Sequence, residues 1–208
     1  MQSGIGSISL RGAGFAGTSD ARGILFNGDG VAATGLIQSS SGTISLIGTG
    51  GAGANNNGGV VIGNVGPVTA TVTSASGAIT ITGTGGAGSG INNMGVYIGG
   101  GTGVVESTGT ATIGITGHGG SGTGGNSGVW MQGGGLVRST ATGSGAITIT
   151  GDNTGTVTGT SNMGVRIDTG SDVVSLGSAP ISITGTGGAG TTDNHGVLVS
   201  GAGSTIAS

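Results

Sequence analysis

Apolar and polar residues alternate along this chain in short bursts that return at a fixed interval. The clearest burst is Gly77-Ala78-Ile79-Thr80-Ile81-Thr82-Gly83. It returns as Gly145-Ala146-Ile147-Thr148-Ile149-Thr150-Gly151 and as Pro180-Ile181-Ser182-Ile183-Thr184-Gly185. Looser copies are Thr112-Ile113-Gly114-Ile115-Thr116-Gly117, Thr43-Ile44-Ser45-Leu46 and Ser7-Ile8-Ser9-Leu10. Their first apolar positions are 8, 44, 79, 113, 147 and 181, spaced by 36, 35, 34, 34 and 34 residues. A side-chain period of two predicts strands with Ile79 and Ile81 pointing inward and Thr80 and Thr82 outward. The other inward pairs are Ile8/Leu10, Ile44/Leu46, Ile113/Ile115, Ile147/Ile149 and Ile181/Ile183.

Each unit holds two more short β-type segments. A loop of small residues, such as Gly83-Thr84-Gly85-Gly86-Ala87-Gly88-Ser89-Gly90, follows the first strand and fits close backbone approach and positive φ. The second strand opens on Gly and a β-branched residue: Gly23-Ile24-Leu25-Phe26, Gly59-Val60-Val61-Ile62, Gly95-Val96-Tyr97-Ile98, Gly128-Val129-Trp130-Met131, Gly164-Val165-Arg166-Ile167 and Gly196-Val197-Leu198-Val199. Asn57, Asn93, Asn126, Asn162 and Asn194 stand two positions before these glycines, with Ala21 the exception. A recurring Asn at one turn predicts a side-chain amide ladder from coil to coil. The third strand reads Ile37-Gln38-Ser39, Val72-Thr73-Ser74, Val105-Glu106-Ser107, Val137-Arg138-Ser139, Val174-Ser175-Leu176 and Ile206-Ala207-Ser208. Longer insertions run from Asn27 to Gly35 and from Gly63 to Ala70.

A strand triplet of this length cannot bury its apolar face alone, but stacked copies can hydrogen-bond strand to strand and fill the centre with aliphatic ladders. The prediction is all-β: a right-handed parallel β-helix of six coils, with handedness from the crossover rule. The repeats cover about 6–41, 42–76, 77–110, 111–144, 145–178 and 179–208, as one domain in residues 1–208.

Composition sharpens this picture. Glycine supplies 56 of 208 positions, without a third-residue period and with only two prolines, so collagen is excluded. The regular placement of Val and Ile argues against disorder. The chain has no cysteine, hence no disulfide or thiolate metal site. A net charge of −3 with four arginines and no lysine offers no basic stripe for nucleic acid. No apolar run approaches the roughly 20 residues that span a bilayer. The start, Met1-Gln2-Ser3-Gly4, has no basic region leading into an apolar core, so an exported version would be a piece of a longer chain.

The pattern Ile-Thr-Ile-Thr-Gly-Thr-Gly-Gly, then Asn-Asn-Met-Gly-Val-Tyr-Ile, then Val-Val-Glu-Ser resembles the large bacterial surface proteins of the filamentous-haemagglutinin and autotransporter type. The resemblance is one of repeat style and covers nearly the whole chain. It implies an extracellular or cell-surface stalk or adhesin segment exported as a long β-helix, although that family's export signal and outer-membrane translocator are missing here.

Motifs that mimic chemistry read as architecture. Gly48-Thr49-Gly50-Gly51-Ala52-Gly53 fits a dinucleotide fingerprint, which works only where a helix follows, so no cofactor is expected. Asp168-Thr169-Gly170-Ser171 copies an aspartic-protease triplet without the second carboxylate such chemistry needs. With Asp172 it reads as a solvated turn before a Ca²⁺ site. Glu106 and Arg138 fall at equivalent positions of neighbouring coils and predict a surface ion pair. His118, placed in the glycine loop, and His195, beside the Asn row, lack a nearby nucleophile with an orienting acid. The expectation is a non-enzyme without metal.

Two outward rows remain. On the second strand, Leu25, Val61, Tyr97, Trp130, Arg166 and Leu198 form an apolar stripe that is either a binding and assembly surface or covered by a loop. On the first strand, Ser45/Ile47, Thr80/Thr82, Gly114/Thr116, Thr148/Thr150 and Ser182/Thr184 form a Thr-rich array of the kind ice-binding surfaces use, interrupted at Arg11, Ile47 and Gly114. The expected function is therefore structural, a rigid stalk or an end-to-end stacking filament unit of a surface adhesin. The alternative is a module that binds glycan or ice through these rows. Uncapped strands at both ends predict either continuation into further coils or stacking of identical chains.

Overall fold

The computed structural model describes residues 1–28, 34–63, 68–140 and 145–208. Most of the two insertions expected after the second strands lie outside the described residues. Among the described residues there is no helix. The strands form three long parallel sheets, one for each segment of the repeat, stacked as a β-solenoid of six coils.

The first sheet joins Ile8–Ala13, Ile44–Thr49, Ile79–Thr84, Ile113–Gly119, Ile147–Asn153 and Ile181–Thr186. Its rungs are in register, so that Ile44 pairs Ile79, Ile79 pairs Ile113 and Ile113 pairs Ile147. The second joins Ile24–Phe26, Val60–Ile62, Val96–Gly99, Val129–Gln132, Val165–Asp168 and Val197–Ser200. The third joins Gln2–Ser3, Gly35–Ser39, Ala70–Ser74, Gly103–Ser107, Leu136–Ser139, Asp172–Ser175 and Thr205–Ala207. Gly122–Gly124 and Val157–Thr160 make a further small pair.

The sequence spacing aligns Val174 with Val137, but the structure pairs Val137 with Val173 and Ser139 with Ser175. Asp172-Val173-Val174-Ser175 offers two candidate valines, and only the one that faces the core sets the register. The core is a continuous aliphatic column containing Ile44, Leu46, Ile79, Ile81, Ile113, Ile115, Ile147 and Ile149, together with Val and Ile from the other two sheets. Each such side chain contributes about 1.5–3 kcal/mol by leaving water.

Glycine has a specific task at the corner between the first and second sheets. A Cβ on Gly48, Gly83, Gly117 or Gly151 would run into the carbonyl oxygen of Gly59, Gly95, Gly128 or Gly164 on the strand behind it. The two strands pass back to back with no side chain between them, and only glycine permits that approach. The positive φ expected of these loops falls mainly on one column beside the Asn row: Asp20, Asn56, Asn92, Gly125, Ser161 and Asp193, with φ of 59°, 59°, 60°, 64°, 59° and 56°. Asn and Asp tolerate that region better than other side chains because they bond their own backbone locally.

Candidate functional site

The Asn row forms the expected ladder, inside the protein. Asn57, Asn93, Asn126 and Asn162 are fully buried. The carboxamide oxygen of each accepts from the coil before it. Ala21 N–H donates to Asn57 Oδ1, Asn57 N–H to Asn93, Asn93 N–H to Asn126, Asn126 N–H to Asn162 and Asn162 N–H to Asn194. The side-chain amides run the same way from Asn57 to Asn93, from Asn126 to Asn162 and from Asn162 to Asn194. At Asn93 the amide turns aside to the Ser121 carbonyl. The ladder satisfies backbone N–H groups at a turn that has no sheet partner to do so, and it has a direction. Asn194, at its donor end, has no acceptor for its own N–H or amide among the described residues.

The two readings of the second-strand stripe, exposed surface or covered row, divide along its length. Val61 is buried, Tyr97 and Trp130 are each only 8% exposed, and Met94 joins them in a second small core outside the sheet. Leu25 is 50% exposed, while Arg166 and Leu198 are half-buried. The middle of the row is thus covered, chiefly by its own members. Tyr97 and Trp130 meet edge to face at 89° with centroids 5.7 Å apart. The Arg166 guanidinium lies 4.6 Å from the centre of the Trp130 ring, a cation–π contact.

Asp168 closes this cluster. Its carboxylate accepts from Arg166 Nε at 2.6 Å, from Trp130 Nε1 at 3.4 Å and from the Thr169 hydroxyl at 3.3 Å. The solvated turn expected at Asp168-Thr169-Gly170 is therefore a buried, paired carboxylate followed by two left-handed residues. Burial pushes the Tyr97 phenol above its ordinary value; a backbone hydrogen bond from Gly100 opposes this, and the Asp168 charge adds to it.

A recess of about 210 Å³ opens in the same face, lined by Arg22, Asn56, Val61, Asn92, Met94, Tyr97, Trp130 and Gln132. It draws on the first four coils and sets the aromatic cluster beside the Asn56, Asn92 and Gln132 amides.

Elsewhere the outer surface carries pairs. His118 belongs to a strand, not to the glycine loop, and its register partner is Asp152. Nδ1 lies 3.0 and 2.9 Å from the two carboxylate oxygens, so the orienting acid that the sequence reading missed is present. The residue on the other side of His118 is Thr84, with no hydrogen bond between them. The imidazole is thus oriented by a carboxylate and bonded to no hydroxyl among the described residues. Glu106 and Arg138 form the expected ion pair at 2.9 Å. Asp20 and Asp193 stand in one column but at opposite ends; Asp20 pairs with Arg22, and Asp193 lies 4.0 Å from His195. In the first sheet Thr80 and Thr148 are exposed, with Gly114 interrupting the row between them. Among the described residues no three His, Cys, Asp or Glu side chains group to hold a metal.

One column was not read from the sequence at all. Ser39, Ser74, Ser107, Ser139 and Ser175 are in register and buried, and the hydroxyls of all but Ser107 have no partner among the described residues. The signal was a Ser closing each third strand, obscured by the misregistered fifth copy. No family model matches the chain, and no curated protein or solved structure matches it.

Proposed function

We propose that the chain is a rigid β-solenoid module of an extracellular bacterial-surface adhesin or fibre, acting as a stalk that holds other parts at a distance. It winds right-handed, the hand that parallel crossovers take almost without exception. The observation that carries the reading is the continuity of three sheets through six coils, with one core column and an amide ladder from Asn57 to Asn194 running along them. Six rungs at about 4.8 Å make a column roughly 29 Å tall.

The last coil sets what can extend it. Val197, Val199 and Ile206 are 41%, 43% and 42% exposed, and Ile181 and Ile183 are only partly buried. This face is a template for another coil. The first coil of a second copy fits it poorly. In-register stacking would set Asp193 over Asp20 and His195 over Arg22, and would place the donors of Asn194 against Ala21, which carries no side-chain acceptor. A coil with Asn in the ladder position fits better.

Electron microscopy of the purified chain at several concentrations tests this. Single short columns at every concentration are expected. Long fibres one coil wide would overturn the stalk reading and make the chain an end-to-end filament unit.

A further inference from the structure

We propose that the recess on the outer face of the second sheet is a binding site for one neutral pyranose ring. The site goes beyond the stalk reading and does not depend on it. Its origin is a single gap in a column of side chains. The positions just before each second-strand glycine are Arg22, Gly58, Met94, Ser127, Met163 and His195. Where Met94 and Met163 fold down as buried side chains, Gly58 leaves space between Arg22 on one side and Met94 on the other. A Cβ on Gly58 would point at Val61, which lies on the floor of the recess.

The lining decides the class of ligand. Val61, Met94, Tyr97 and Trp130 supply apolar lining, suited to the C–H face of a sugar. Asn56, Asn92 and Gln132 supply amides at the rim. An amide both donates and accepts, which matches hydroxyl groups that do the same. The Gln132 amide has no hydrogen bond among the described residues. The Asn56 amide nitrogen also has none, while its oxygen receives only a long 3.4 Å contact from Asn92. Charge argues for a neutral ligand: the one cation of the lining, Arg22, is held by Asp20 at 2.6 Å.

Size narrows the ligand further. The volume lies below the roughly 300–1,000 Å³ of larger ligand sites, which limits occupancy to one ring.

Trp130 is the only tryptophan and lines the recess, so its fluorescence reports directly. The test titrates the full chain with glucose, galactose and N-acetylglucosamine, and in parallel with glucuronate and glucose 6-phosphate. One neutral sugar should give a saturable change with Kd of about 1 mM, and the charged sugars should bind at least fivefold more weakly. Gly58→Met should abolish the response, and Gln132→Ala should weaken it at least fivefold, with unchanged circular dichroism in both. Amide NMR signals of Asn56, Asn92 and Gln132 provide the second readout, which also serves if Gly58→Met fails to fold. No perturbation of these signals by any neutral sugar at 50-fold the expected Kd would overturn the proposal. So would a response that survives both variants, or tighter binding of the charged sugars.

Discussion

The fifth and sixth coils present nearly the same first strand in opposite states. Ile147 and Ile149 are 0% exposed, while Ile181 and Ile183, one rung on, are only partly buried. Backbone pairing is shared between them, Ile147 with Ile181 and Ile149 with Ile183. The difference is that Ile147 and Ile149 have a neighbour on both sides and Ile181 and Ile183 on one. Burial here is a property of the stack and not of the repeat, as expected when stability is a sum of coil–coil interfaces.

The largest test of that comparison is aliphatic truncation. Ile149→Ala should cost about 2–5 kcal/mol, because a cavity opens in a column that neighbouring coils prevent from collapsing. Ile183→Ala should cost about 1 kcal/mol, since part of its surface already meets water and no coil beyond it holds a cavity open. Chemical denaturation of both variants measures the gap. Appending a further copy of residues 145–178 after Ser208 should raise the cost of Ile183→Ala to that of Ile149→Ala. Equal costs without the added coil would mean that something else covers the last rung.

The amide ladder provides a smaller contrast. Asn126→Ala leaves the buried Asn93 N–H without its acceptor and should cost about 1–3 kcal/mol. Asn194→Ala removes the acceptor of Asn162 at the open end, where water can replace it, and should cost under about 1 kcal/mol. Thermal melts of the pair decide whether the ladder is worth more inside the stack than at its edge.

The smallest effect is one of pH. The Tyr97 phenol is raised in the folded chain, whereas an unfolded tyrosine titrates near 10.0. The folded state holds the proton more tightly, so this contribution is full below pH 10 and falls as pH rises beyond it. Tyr97 is the only tyrosine, and absorbance titration reads it alone. Ionisation at the ordinary pH without unfolding would show that the aromatic cluster is open to water.

Much of this was legible because a period of two within strands and of 34 to 36 between them leaves few ways to bury Ile79, Ile81 and their copies. The Asn ladder was legible for the same reason: one residue type at one turn implies contact across the rung. Three features besides the buried Ser column were not. The fifth third-strand register depends on which of two adjacent valines faces the core, and both satisfy the local pattern. His118 and Asp152 lie 34 residues apart and meet only because the first strands run longer than their Ile-x-Ile cores. The outward row looked like one stripe because alternation says which side a residue faces and not what lies over it.

The sequence by itself determined the repeat, the strand triplet, the inward pairs and the ladder, since these follow from backbone periodicity and from the need to bury aliphatic side chains. Tertiary structure alone decided the covered middle of the outer row, the paired carboxylate of Asp168 and the recess beside Gly58. Those depend on side chains from three or four coils meeting at one height. A pattern along the chain carries no distance across it until the stack is built.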